Sequence, residues 1–235
     1  MLVALSLLRG AADAEVLGAF SASELAPQRF RSVSVGEWEM VLSEAAHLGL
    51  LTTRTGGGYT IHPALPAYLA ARWRSEEPGI YPDTRTAADR ALLDVIGAAT
   101  GHWGRTMAAE ATAEAYGFIN LNLRTIARML SYALDNRVWN EALPLHITLT
   151  QYLYHGGLTE EALGWSDRAR RAAEGPGAIP DAGTLPLLSL EELPDLSTLS
   201  AEKLREFPQS GSGNSMSNSR RPSRLLPSGL APCPP

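Results

Sequence analysis

Residues 38–73 read WEMVLSEAAHLGLLTTRTGGGYTIHPALPAYLAARW, and this stretch decides the fold. Trp38, Val41, Leu42, Ala45 and Gly49 fall at spacings that gather on one stripe, which predicts a helix over 36–50. Thr52, Thr53, Arg54 and Thr55 then lead into Gly56, Gly57 and Gly58, and Tyr59, Thr60 and Ile61 follow. Two short β-prone runs about a glycine turn predict a hairpin. His62 and Pro63 open a further helix in which Leu65, Tyr68, Leu69 and Trp73 share a face. Pro63 is tolerated there because the first helical N–H has no intrahelical partner.

Working outward, residues 2–8 are an apolar run with no positive residue before it, and Arg9 ends it well short of a membrane span. A buried first helix is the expectation. Residues 14–20 resume helical character after a break at 10–13, giving two short helices joined by a turn, with a loop around Pro27 next. Three helices, a hairpin and a further helix make a winged-helix arrangement over residues 1–77.

A linker at 78–84, marked by Pro78 and Pro82, separates this region from an all-helical one over 85–175. Between 138 and 155, one stripe holds Trp139, Ala142, Leu143, His146, Thr150 and Leu153, and a second holds Leu145, Leu149 and Tyr152. A helix apolar on two sides needs neighbours on both, which is what stacked helical hairpins supply. The last helix follows Gly156 and Gly157; Thr159 is its expected cap, and Ala162, Trp165, Ser166 and Ala169 are its expected buried stripe. From about residue 176 the periodicity fades, and 208–235 is rich in Ser, Pro and Gly with no acidic residue, so 176–235 is expected to be a disordered low-complexity tail. The fold class is therefore mainly α: a winged helix, then stacked helical hairpins, then a tail.

The helix ending in Leu48-Gly49-Leu50-Leu51, the wing, and the Tyr-x-Ile-His-Pro-x-Leu string of residues 59–65 resemble the winged helix of bacterial NB-ARC type STAND ATPases. Asn122, Leu123, Arg124 and the run 136–169 resemble the tetratricopeptide-like helices that follow it in such proteins, with Gly157, Ala162 and Ala169 at that repeat's small positions. Thr150 and Ser166 depart from the repeat's usual Gly and aromatic. The resemblance implies that the residue matching the family's phosphate-sensing histidine is His62, although Pro63 stands where many relatives have an acidic residue. It implies, too, a protein partner for the helical repeats and an ATPase domain supplied in trans or lost.

Chemistry-bearing patterns are few. A phosphate loop needs a lysine after its glycines, and the single lysine, Lys203, follows Glu202, so this sequence has no such loop. Gly56 to Gly58 reads as a wing turn before it reads as a phosphate nest. The five histidines, His47, His62, His102, His146 and His155, show no metal-ligand spacing, and Cys233 has nothing beside it to lower its pKa. Neither a cofactor nor a metal is expected, and no catalytic residue. His62 has a second reading, as a helix-boundary residue bonded to the local backbone. The carboxylate pairs Glu76-Glu77 and Glu160-Glu161 read as solvated charges, and the five tryptophans as packing.

A net charge of −5 gives no broad reason for nucleic acid or an anionic membrane as a partner. Winged helices often bind DNA, yet the helix that would enter the groove carries Glu37, Glu39 and Glu44 and no Arg or Lys. One cysteine fits a reducing cytoplasm. The leading expectation is a non-catalytic interaction fragment; the alternatives are a winged-helix DNA-binding regulator and a truncated, nonfunctional remnant.

Overall fold

The computed structural model describes residues 1–55, 58–110 and 113–175. The chain opens with a 3-10 helix, Leu2–Leu7, in which Val3 to Leu7 are all buried. It shows no amphipathic stripe because it is buried against both α3 (Leu65–Glu76) and α4 (Tyr81–Glu110). The break at 10–13 is more than a turn: Gly10, at φ +82°, redirects the chain into strand β1 (Ala11–Ala12), and Asp13 then caps α1 (Ala14–Ala22) by accepting from the Glu15 and Val16 amides.

Helix α2 (Val35–His47) begins in a capping box, with Ser34 and Glu37 bonding each other's backbone amides. It buries Trp38, Leu42 and Ala45. Gly49 lies past its end rather than on its stripe: at φ +76° it lets the Leu50 amide reach the Ala45 carbonyl at 2.9 Å, the Schellman closure. The expected hairpin is present as β2 (Leu51–Thr53) and β3 (Tyr59–Ile61). Its inner strand β3 also pairs antiparallel with β1, so the sheet order is β1-β3-β2.

In α3 the stripe holds for Leu65, Leu69 and Trp73, whereas Tyr68 is 61% exposed. The early helical turn of α3 leaves Tyr68 on the outside, and the proline at its first turn is Pro66; Pro63 lies in the turn before it. A run of aromatic edges ties the core together: Phe20 to Phe30 at 5.7 Å, Phe30 to Trp73 at 5.4 Å and Trp73 to Tyr81 at 5.3 Å between ring centroids. Because Tyr81 is the first residue of α4, residues 81–84 of the expected linker are helix, and Pro82 sits in a first turn where no N–H is required.

Helices α4, α5 (Ala113–Asp135), α6 (Trp139–His155) and α7 (Thr159–Glu174) pack in succession, and α6 touches α4, α5 and α7. The two-sided character of α6 is therefore satisfied, with Ala142, Leu145, His146, Leu149 and Leu153 all buried. Gly97, Gly101 and Gly104 present α4 to α6, where they meet Glu141, Pro144 and Thr148. α7 buries Ala162, Ser166, Ala169 and Ala173, with Trp165 half-buried. Thr159 is its first helical residue and not its cap; Leu158 occupies that position with no side-chain bond. The expected tail, 176–235, with Lys203 and Cys233, lies outside the described residues, as do Gly56 and Gly57.

Candidate functional site

His62 follows directly on β3 and is exposed. Its Nδ1 accepts from the Ala64 amide at 3.2 Å, and its carbonyl accepts from the Leu65 amide at 2.9 Å. The ring thus helps turn the chain into α3. With Nδ1 used as the acceptor, the neutral imidazole carries its proton on Nε2.

The outward face of α2 is acidic and apolar at once. Glu37, Glu39 and Glu44 are exposed on it, and Met40 and Leu48 are 66% and 67% exposed. Gly36, Glu39, Met40, Ser43, Glu44 and His47 line a shallow depression along it. Glu39 also accepts from the Tyr59 hydroxyl at 2.9 Å, which fixes α2 against β3. The Ser34 hydroxyl and amide hold the Glu37 carboxyl below its usual range.

A second polar centre lies where the amino-terminal elements meet α4 and α5. The Thr125 hydroxyl accepts from the Arg9 amide at 3.0 Å and donates to the Arg9 carbonyl at 3.1 Å. Arg128 donates to the Leu7 carbonyl at 2.7 Å and pairs with Asp89, which also pairs with Arg85 at 2.9 Å. Arg9 donates to the carbonyls of Ser6 and Leu8 at 3.0 and 2.8 Å, and Arg85 reaches the Ser6 hydroxyl at 3.4 Å. Burial lowers the Arg9 pKa, and the neighbouring Arg128 and Arg85 lower it further. Of this centre only the Arg85 and Asp89 pair, four residues apart, has a signature in the sequence.

The carboxylates Glu76 and Glu77 are not simply solvated. Glu77 accepts from the Trp73 indole at 2.9 Å and lies 2.8 Å from the Arg29 guanidinium, while Glu76 pairs with Arg72 at 2.8 Å. Arg29 lies over the Phe30 and Trp73 rings at 5.3 and 5.6 Å, so the cluster clamps the aromatic core. The five tryptophans divide: Trp38 and Trp73 are fully buried, whereas Trp103, Trp139 and Trp165 are half-buried and pack on the core.

At the far end, Tyr154, Leu158 and Leu163 are exposed about the turn between α6 and α7. Arg168 lies over the Trp165 ring at 5.5 Å and pairs with Asp135 at 3.1 Å. Among the described residues, no group of three or more His, Cys, Asp and Glu side chains is placed to hold a metal ion. No described helix is long and apolar enough to cross a membrane. Comparison with protein-family models, curated proteins and solved structures finds no match to this chain.

Proposed function

We propose that this chain is a non-catalytic interaction module, a winged helix carried on tetratricopeptide-like helical hairpins. The observation that carries the reading is the outward face of α2, where three exposed carboxylates surround exposed Met40 and no Lys or Arg is present. Phosphate neutralisation supplies most non-specific affinity for DNA, and this face opposes it. A surface of exposed apolar side chains rimmed by charge suits a protein partner instead.

Two further features support the architecture. The order 3-10 helix, β1, α1, a short 3-10 helix at Gln28–Phe30, α2, β2, β3, with the sheet order β1-β3-β2, is compatible with a winged helix and supports that reading. Successive packing of α4 to α7 suits a repeat stack, and Tyr154, Leu158 and Leu163 are left open at its last turn. In this reading the winged helix would hold an ATPase domain supplied by another chain, with exposed His62 Nε2 available to that domain's nucleotide phosphates.

The test is an anisotropy titration of labelled duplex DNA at low salt, run beside a nucleotide hydrolysis assay on the purified chain. The interaction reading expects neither binding nor turnover. Saturable DNA binding that weakens steeply with salt would transfer the assignment to a DNA-binding regulator. Turnover of any nucleotide would overturn the non-catalytic assignment.

A further inference from the structure

At the seam where the amino-terminal elements meet the α4–α5 pair, three guanidinium groups and one carboxylate form a hydrogen-bonded network with the end of the 3-10 helix. Arg9, Arg85 and Arg128 converge on the end of the 3-10 helix, and Asp89 is the acidic side chain that pairs with two of them. The side chains of Arg85 and Arg128 are 17% and 19% exposed and that of Asp89 is 11% exposed, so water screens the imbalance only in part. The carbonyls of Ser6, Leu7 and Leu8 contribute partial charges alone.

Donor count points the same way. A guanidinium carries five N–H donors. Arg9 bonds through one terminal nitrogen, Arg85 through Nε and one terminal nitrogen, and Arg128 through its two terminal nitrogens. Each therefore keeps donors beyond the bonds that build the seam. Tyr132 stands one turn beyond Arg128 on α5, half-buried, with its hydroxyl pKa raised by burial and then by the Asp89 charge. Planar donor forks gathered at one end of the 3-10 helix match an acceptor with several oxygens.

We propose that this seam binds a small tetrahedral oxyanion, phosphate or a phosphomonoester, between Arg9, Arg85 and Arg128. The anion would neutralise the excess charge and add bonds between the amino-terminal elements and α4–α5, so binding and docking of the two regions would be linked. The inference stands apart from the interaction reading, because it concerns the seam and not α2.

Calorimetric titration of the full chain tests it, with sodium phosphate, with glycerol 3-phosphate, and with sodium chloride at equal ionic strength. Saturable binding of an oxyanion without a matching chloride signal is expected. At ten times the dissociation constant, the folded-to-unfolded ratio should rise about elevenfold. Binding of both oxyanions assigns the site to phosphomonoesters, and binding of phosphate alone assigns it to the free ion; either supports the proposal. Arg9→Gln, which leaves both Asp89 ion pairs in place, should weaken binding by tenfold or more. Asp89→Asn removes the competing carboxylate and should tighten it. No saturable signal from either oxyanion with the unsubstituted chain would overturn the proposal, and so would undiminished binding by folded Arg9→Gln.

Discussion

Thr125→Val is the sharpest perturbation of the way the chain holds together. Thr125 is fully buried on α5, and its hydroxyl serves both the N–H and the C=O of Arg9 across 116 sequence positions. Valine has nearly the same volume, the same β-branching and a similar helix propensity, so the change removes hydrogen bonds and little else. A neutral bond contributes about 0.5–1.5 kcal/mol net, and a backbone group left without a partner costs about 1–3 kcal/mol. Two groups on Arg9 lose their partner together, but Arg9 is half-buried and water recovers part of the loss. The expected destabilisation is about 2–4 kcal/mol, which lowers the folded-to-unfolded ratio roughly 30- to 700-fold. Urea denaturation followed by far-ultraviolet circular dichroism measures it, with the m-value unchanged if both chains unfold as one unit. A change below about 0.5 kcal/mol would refute the role given to the seam. Two separated transitions in the unsubstituted chain would refute it as well, since the amino-terminal elements would then melt alone.

Three other outcomes follow from particular contacts. A Cβ at Gly104 would stand 2.2 Å from the Thr148 hydroxyl, so Gly104→Ala should destabilise by about 1–3 kcal/mol in thermal or urea unfolding, despite alanine's better helix propensity; adding Thr148→Ala should restore most of it. Trp38→Phe strips the 2.9 Å bond from the indole to the Ser21 hydroxyl in a fully buried setting and should cost about 2–3 kcal/mol in the same assay. Glu37 has its pKa lowered in the fold by Ser34, so its contribution is present above the unfolded carboxylate range and is lost as pH falls through the folded value. Glu37→Gln should therefore shrink the difference in thermal midpoint between pH 7 and pH 3, and an unchanged difference would count against the capping box.

Much of the fold was legible because its signals are local. The hairpin announces itself by glycines between threonine and tyrosine runs, and the end of α6 by Gly156-Gly157, where Gly157 takes φ +77°. The Ser34-x-x-Glu37 box was available too, and it places the start of α2 one residue earlier than the apolar stripe does. Pro82 is ambiguous by itself, since proline marks a loop and a first helical turn equally well; Tyr81 packing on Trp73 resolves it. Strand β1 is two alanines with little preference for a strand, and it exists because β3 offers an edge. The positive φ of Gly10 is its one local trace. The seam is illegible for a related reason: Arg128 lies 39 positions from Asp89 and 121 from Leu7, and no spacing rule spans such separations. Of the site residues, the exposed position of His62 and its bond to Ala64 fit its helix-boundary reading, while acidic exposure on α2 follows directly from Glu37, Glu39 and Glu44.

The glycines at 97, 101 and 104 also bear on the order in which the chain is made. Each replaces a good helix former at a cost of about 1 kcal/mol, and the compensation comes from α6, which is later in the sequence. Synthesis runs from the amino terminus, so the middle of α4 leaves the ribosome before Glu141, Pro144 and Thr148 exist to brace it. During that interval its apolar residues Leu92, Leu93 and Ile96, fully buried in the finished fold, lack their final cover. The middle of α4 therefore stays without its bracing partner until the segment that ends at His155 has been made.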